Sequence, residues 1–252
     1  MLFNSIGFAL FLPIVFILYW FVTKGSKMEQ NSLLLGASYF FYACWDWRFL
    51  FILIFSTYLD YFTGIKINSV SGKRKKAFWL YLSIAINLGF LGVFKYYNFF
   101  AESFALGLSL LGLQSNFATL NVILPVGISF YTFHGLSYVI DIYKDRIKPL
   151  RNFIDYSVFV SFFPLLVAGP IERATHLLPQ ILKKREFNYL NAVDGLKQIL
   201  WGLFKKVIIA DNCAVYANII FNNSNDLSGS TLLLGPSFLP FKFIVTFLDT
   251  LT

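Results

Sequence analysis

Two histidines and one adjacent acid–base pair are the residues of this 252-residue chain whose types could support proton transfer or anion binding. His134 lies in an apolar block between Tyr131 and Tyr138. An ionisable side chain there indicates either a functional group or a neutral histidine hydrogen-bonded within a helix bundle. We favour the second interpretation, because one position gives no partner geometry. His176 is expected at the water or lipid-headgroup level, with a position facing a cytoplasmic donor as the alternative.

Glu172 and Arg173 end an apolar run that begins at Tyr156 and is interrupted by Pro164 and by Gly169-Pro170. A guanidinium can bind phosphate in bidentate geometry, so this pair could orient a phosphate-bearing acyl donor. The pair could equally form a local ion pair that ends the run. The sequence leaves both interpretations open.

Other polar residues give weaker signals. Asp60 and Asp141 stand near Lys66 and Lys144, which predicts ion pairs at helix ends. The two cysteines show no metal-ligand spacing, and no metal site is predicted. The chain has neither a Gly-rich phosphate loop nor a Gly-x-Ser-x-Gly nucleophile motif.

The composition indicates the class of protein. Hydrophobic residues make up 57% and charged residues 13%, mean hydropathy is +0.65, and Phe alone contributes 31 residues. Soluble domains usually carry about 25% charged residues. These values predict an all-α, polytopic membrane protein whose partner is the lipid bilayer of a cell membrane. The net charge of +8 does not indicate nucleic acid, because the basic residues cluster between apolar blocks.

The order of apolar blocks and basic loops predicts a topology. The blocks that could span are 5–22, 31–44, 49–65, 78–94, 120–142, 207–221 and 231–251. With the N-terminus outside and one crossing per block, every basic residue except Arg48, Lys95 and Lys242 faces the cytoplasm or its interface. That count holds only if residues 156–171 enter and leave on the cytoplasmic side. The same stretch is short and proline-broken for a span, so we expect a re-entrant element.

Residues 177–206 show a different pattern. Apolar side chains from Val193 to Val207 follow helical spacing, and Lys197, Lys205 and Lys206 take the other side. This pattern predicts a helix that lies in the cytoplasmic interface.

Four motifs carry a family resemblance: FKYYNFF at 94–100, LPVGISFYTF at 124–133, VAGPI at 167–171, and the polar positions between Asp194 and Asn212. Together, in this order, they resemble the membrane-bound O-acyltransferase (MBOAT) family, in its alginate O-acetyltransferase branch. The resemblance implies a multi-helix enzyme with a tunnel, which transfers an acyl group to a hydroxyl, often on an extracellular polysaccharide.

The resemblance also implies partners and site residues. We expect no bound cofactor, a cytoplasmic acyl donor such as acetyl-CoA, a polysaccharide acceptor and an extracytoplasmic acetyltransferase partner. The candidates for the tunnel or substrate site are His134, Gly169, Pro170, Glu172 and Arg173. The catalytic histidine of the family stands in a Trp-His-Gly type motif that is expected beyond Thr252. No catalytic residue is therefore assigned, and residues 1–252 alone are expected to be inactive.

The final residues depart from the family pattern. After Gly235 the resemblance implies a segment like IFFAFQIYCDFSGYSD, whereas residues 236–252 read PSFLPFKFIVTFLDTLT. One permitted set of codons for this tail gives the expected segment when read two bases later. We therefore expect 1–235 to be the N-terminal part of an MBOAT transmembrane domain and 236–252 to be an out-of-frame tail.

Two other interpretations remain open from the sequence. Broken apolar segments with polar groups at mid-membrane also occur in transporters or flippase-like proteins, although we find no internal symmetry of the kind that transporter folds commonly carry. The chain could also be a fragment that folds poorly and has no function of its own.

Overall fold

The computed structural model describes residues 5–23, 26–110, 125–169 and 172–222. Every regular element in these ranges is helical, which confirms the all-α prediction. The chain divides into two compact units, residues 1–185 and 186–252, and each is considered by itself. The block predicted at 231–251, the tail at 236–252 and Pro170 lie outside the described residues.

The first unit contains the following helices: α1 (Ile6–Ile17), extended by a π-helical turn at Leu18–Val22; α2 (Lys27–Ser69); α3 (Lys73–Leu91), extended by a π-helical turn at Gly92–Tyr96; α4 (Tyr97–Leu110); α5 (Ile128–Tyr143); α6 (Phe153–Ser161); α7 (Phe163–Ala168); and α8 (Ala174–Leu182). Side-chain caps mark two of the starts. Ser5 accepts from the amide of Phe8, and Asn152 accepts from the amide of Ile154.

Helix α2 changes direction at Asp46, whose φ of −158° and ψ of 113° are not helical. Met28, in the first turn of α2, contacts Asn152 through a 3.6 Å amide–sulfur hydrogen bond, while the Tyr61 hydroxyl donates to the carbonyl of Arg151 at 2.7 Å. A straight helix would separate Met28 from Tyr61 by about 50 Å. The two halves of α2 therefore fold back on each other, in agreement with two separate apolar blocks at 31–44 and 49–65.

The basic loops gather at one end of this unit. Lys27 forms an ion pair with Asp155 at 2.9 Å, and Lys76 lies 3.5 Å from Asp145 in the loop after α5. The backbone of Arg185 exchanges hydrogen bonds with the side-chain amide of Gln30, at 2.9 and 3.3 Å. The kink at Asp46 lies midway along α2, at the far end of both of its halves.

The proline-broken stretch runs through α6, α7 and α8, and both of its ends contact the side chain of Asn31 in α2. The side-chain amide of Asn31 donates to Oδ1 of Asp155 at 2.7 Å, near the start of α6, and to the carbonyl of Ile181 at 3.3 Å, near the end of α8. Between these points the helix breaks at Phe162. There Ser38 of α2 accepts from the amide of Phe163 at 3.2 Å, which satisfies an N-terminal donor of α7.

Close backbone approach brings α5 against its neighbours. A β-carbon on Gly64 of α2 would lie 2.8 Å from Cδ1 of Ile142 and 2.9 Å from Cε1 of Tyr138. Gly127, which precedes α5, has a φ of +74°, and a β-carbon there would lie 2.3 Å from the carbonyl oxygen of Leu166. Small residues at such contacts are typical of helix packing in membranes. They place α5 between α2 and the broken stretch.

The outer surface of this unit is rich in large apolar side chains. Phe51, Phe55 and Tyr58 of α2 and Phe99 and Phe100 of α4 are all at least half exposed. Two helical stretches, Lys27–Ser69, which is kinked at Asp46, and Lys73–Ala105, are long and apolar enough to cross a membrane by length and composition. A surface of this kind suits lipid rather than water.

The second unit contains α9 (Tyr189–Phe204), continued as a π-helical stretch at Lys205–Ala210, and α10 (Asp211–Asn222). Asn188 caps α9 by accepting from the amides of Leu190 and Asn191. The helix predicted over 177–206 is thus divided, because α8 ends at Leu182 and residues 183–188 are not helical. Leu196, Leu200 and Trp201 of α9 are exposed, and none of the residues of this helix is buried.

Candidate functional site

His134 is fully buried in α5 and forms the centre of the candidate site. Its Nε2 accepts a 3.2 Å hydrogen bond from the backbone amide of Glu172, 38 residues further along the chain. The ring lies edge-on to Phe159 of α6, with centroids 5.7 Å apart. The histidine therefore joins α5 to the turn that precedes α8.

This hydrogen bond assigns a tautomer to His134. A nitrogen that accepts from an amide N–H carries no proton, so the neutral ring holds its hydrogen on Nδ1. The Nε2 lone pair is occupied and is not available to accept a proton from a substrate hydroxyl. The geometry favours an anchoring role for His134 over general-base catalysis, in line with the hydrogen-bonded alternative weighed from the sequence.

Glu172 links the buried histidine to an exposed one. Its carboxylate Oε2 lies 2.9 Å from Nδ1 of His176, whose side chain is 69% exposed. Arg173 occupies the N-cap position of α8 in an extended conformation. The structure therefore brings together His134, Glu172 and Arg173, with His176 at the accessible side.

Gly169 ends α7 close to the preceding helical turn. Its amide donates to the carbonyl of Leu165 at 3.2 Å, and a β-carbon would lie 2.4 Å from Cα of Leu165. Only glycine fits this close approach. Pro170 lies outside the described residues, so Gly169 is the last position before the gap that leads to Glu172.

Asp60 is a polar site that sequence reasoning missed. The predicted ion pair with Lys66 is wrong: Asp60 makes no ion pair in the part of the chain that the structure describes, and Lys66 lies over the ring of Phe62 instead. The carboxyl group of Asp60 is 1% exposed and accepts hydrogen bonds from Ser83 and Asn87 of α3, both at 2.7 Å. Polar residues four apart within apolar helices, such as Ser56 with Asp60 and Ser83 with Asn87, were the available signal.

Asp141 does form the predicted ion pair at a helix end, although its partner is Arg146 at 3.2 Å and not Lys144. In the described ranges no three His, Cys, Asp or Glu side chains converge as metal ligands would. An apolar cleft of about 750 Å³ is lined by Gly92, Val93, Tyr97, Phe100, Ala101, Ser103 and Phe104, none of which carries a charge. His134 and Asp60 are two buried polar positions of the first unit, beside the cluster around Asn31 and Asp155.

The chain is similar to bacterial O-acetylating enzymes. It is 36% identical to a peptidoglycan O-acetyltransferase of Helicobacter pylori over 90% of its length, and 38% identical to probable alginate O-acetylases of Pseudomonas syringae and Pseudomonas putida over 92%. The matches cover 48%, 44% and 47% of those relatives, so the chain spans about half their length.

The other two comparisons give no match. No protein-family model matches the chain. No solved structure matches it either.

Proposed function

Since the chain belongs to the membrane-bound O-acyltransferase family, in the branch that contains the alginate O-acetylases, we propose that it forms part of an enzyme that transfers acetyl groups to hydroxyls of an extracellular or cell-surface polysaccharide. The observation that carries this proposal is the identity of 36 to 38% with O-acetylating relatives over at least 90% of the chain. The apolar helices and the apolar outer surface support a multi-pass position in the cell membrane.

Residues 153–182 act in this proposal as a re-entrant element open to the cytoplasm. Two contacts support it: α6 begins and α8 ends at the side-chain amide of Asn31. Lys27 and Arg185, which belong to the cytoplasmic side by charge, lie at the same place. Non-helical backbone at membrane depth is tolerated where protein or a wet cavity surrounds it, and the break at Phe162 is buried against α2.

Glu172 and Arg173 form the donor-facing side of this element. His134 holds the backbone of Glu172, so Arg173 leaves the turn in a fixed direction at the start of α8. The cationic guanidinium at a helix N-terminus suits the phosphates of a donor such as acetyl-CoA. The exposed His176 beside Glu172 lies where such a donor approaches from the cytoplasm.

The acetyl transfer itself needs a general base that accepts the hydroxyl proton while the ester bond forms and the donor thiolate leaves. His134 has its Nε2 occupied, and the resemblance puts the base-bearing histidine motif outside these 252 residues. We therefore expect these residues to supply the donor-side wall and to need the rest of an MBOAT domain for turnover.

Complementation of an O-acetylation-deficient bacterial strain tests the proposal. The 252 residues alone are expected to leave the polysaccharide unacetylated, whereas the same residues continued through the family's remaining half should restore acetyl ester.

In the active form, Arg173→Gln should raise the KM for acetyl-CoA with little change in kcat. Arg48→Gln, beside the kink of α2 at Asp46, is the matched control. Acetylation by the 252 residues alone, or an unchanged KM for Arg173→Gln, would contradict the respective part of the proposal.

A further inference from the structure

Asp60 stands at the junction of three helices. Its Oδ1 accepts from Oγ of Ser83 and from Nδ2 of Asn87, both at 2.7 Å, and Oδ1 of Asn87 in turn accepts from Oγ of Ser56 at 2.9 Å. These bonds join α2 to α3. Buried hydrogen bonds of this kind fix the rotamer of the carboxyl group, because any other rotamer leaves two buried donors unsatisfied.

The other carboxyl oxygen rests on α5. A β-carbon built on Gly135 would lie 1.9 Å from Oδ2 of Asp60, so this oxygen sits directly against the Cα of the glycine. Among the described residues, Oδ2 has no hydrogen-bond partner. The contact is therefore one of close packing, and it is possible only because residue 135 has no side chain.

The surroundings of Asp60 favour a neutral carboxyl group. Ser83 and Asn87 face it from α3, Gly135 faces it from α5, and the buried Tyr156 approaches it from α6. No lysine, arginine or histidine of the described residues forms an ion pair with it. An unpaired carboxylate inside a membrane helix bundle is costly, whereas a carboxylic acid keeps both of the hydrogen bonds that Oδ1 accepts.

We propose that Asp60 is a positioning residue for His134. Gly135 follows His134 directly in α5, so the contact with Oδ2 of Asp60 sets the depth and rotation of the helical turn that carries the imidazole. A helix is stiff over one turn, and a displacement at Gly135 moves the ring of His134 by a similar amount. The 3.2 Å hydrogen bond from Glu172 to Nε2 is lengthened or broken by such a displacement.

The inference rests on the proposed function only for its effect on turnover, because the geometry at His134 can be measured without any activity. The chain contains two histidines, so selective ¹⁵N labelling of histidine gives two pairs of ring-nitrogen signals, and a His134→Gln variant assigns them. The wild-type chain, in lipid nanodiscs, should show the Nδ1–H tautomer for His134. The exposed His176 serves as the internal reference.

A pair of substitutions tests the contact itself. Gly135→Ala places a methyl group on Oδ2 of Asp60 and should shift the His134 signals or abolish the single tautomer. In the double variant Asp60→Ala with Gly135→Ala, the two β-carbons lie 3.5 Å apart, an ordinary contact, and the His134 signals should return towards the wild-type position. Gly36→Ala in α2, with nothing within 4 Å, is the matched control and should leave the signals unchanged.

The conservative variant Asp60→Asn keeps the acceptor for Ser83 and Asn87 and a group of similar size against Gly135, and it should preserve the His134 tautomer. Asp60→Ala alone should leave the helix content intact, as seen by circular dichroism, and broaden or shift the His134 signals.

The proposal is overturned if Gly135→Ala leaves the His134 spectrum unchanged, if the double variant is no closer to wild type than Gly135→Ala, or if neither variant folds. It is also overturned if Asp60→Asn loses the tautomer. Loss of acetylation with an unchanged His134 spectrum would count against the proposed function and not against this contact.

Discussion

The side-chain amide of Asn31 donates a 2.7 Å hydrogen bond to Oδ1 of Asp155 across 124 residues of sequence. The same amide reaches the carbonyl of Ile181, and Oδ1 of Asn31 accepts a hydrogen bond from Arg185. Asn31 is fully buried, so its side chain has these groups as partners in place of water. This residue holds the first turns of α2 to both ends of the proline-broken stretch.

Asp155→Asn should destabilise the first unit. The substitution removes the negative charge that pairs with Lys27 at 2.9 Å and turns an amide donor towards an ammonium group. Because Asp155 is buried, we expect a loss of about 1 to 3 kcal/mol in the free energy of unfolding. The midpoint of thermal unfolding in detergent, followed by tryptophan fluorescence and by size-exclusion chromatography, measures the change.

Asp145→Asn is the matched control for that substitution. Asp145 is 80% exposed at the side chain and only 3.5 Å from Lys76, and asparagine tolerates the positive φ of 55° at this position. Its removal should shift the midpoint little, since exposed ion pairs contribute about 0 to 1 kcal/mol. Equal decreases in the unfolding midpoint for Asp155→Asn and Asp145→Asn would show that the burial of Asp155 does not account for the effect.

Gly127→Ala should disrupt the packing of α7 on the start of α5. Alanine at a φ of +74° is strained, and its β-carbon would collide with the carbonyl oxygen of Leu166 at 2.3 Å. The backbone strain alone costs on the order of 1 to 3 kcal/mol, before the collision is counted.

The comparison for Gly127→Ala is Gly89→Ala in α3, where nothing lies within 4 Å of the added carbon. That substitution should be neutral or stabilising by up to about 1 kcal/mol, because glycine is a poor helix former. Detergent-solubilised yield and thermal midpoint report both variants, and a tolerated Gly127→Ala would show that the turn has another conformation open to it.

His134→Leu should release the amide of Glu172. The wild-type amide donates to Nε2 of His134, and leucine offers no acceptor. Loss of one buried hydrogen bond corresponds to about 0.5 to 1.5 kcal/mol, or up to roughly tenfold faster amide exchange. Hydrogen–deuterium exchange resolved at Glu172 measures this, and the amide of Leu177, which donates to Arg173 at 3.1 Å, provides the reference within α8.

Cys44 should react from the outside of the cell. It is exposed beside the Asp46 kink, whereas Lys27, Lys66 and Arg151 lie near the opposite ends of the two halves of α2. The positive-inside bias puts those basic ends in the cytoplasm. In a Cys213→Ser background, a membrane-impermeant maleimide should label Cys44 in intact cells with the outer barrier permeabilised.

A cysteine introduced at Lys75, in a variant that lacks both native cysteines, is the matched probe for the other side. It should be labelled only after the cytoplasmic membrane is opened. Labelling of Lys75→Cys in intact cells, or protection of Cys44, would contradict the topology.

The family assignment and the all-α class were predictable because each depends on local information. Motifs such as LPVGISFYTF are contiguous in sequence. The apolar composition indicates a lipid environment regardless of how the helices pack on each other. The division of the apolar region at 45–48 also followed from local signals, and α2 does turn at Asp46. The predicted interfacial helix over 177–206 was less accurate, because periodicity could not locate the non-helical residues 183–188 between α8 and α9.

The sequence by itself determined that this chain is helical, apolar and related to O-acetylating membrane enzymes. Tertiary structure decided which polar groups meet. Asp60 reaches Ser83 and Asn87 rather than Lys66, and His134 accepts from the amide of Glu172, 38 residues away in sequence. Hydrophobic periodicity fixes which face of a helix is buried but not its depth or rotation against a neighbour. Those two quantities depend on the close approach of α5 to α2 at Gly64 and Gly135, and they place each buried hydrogen bond.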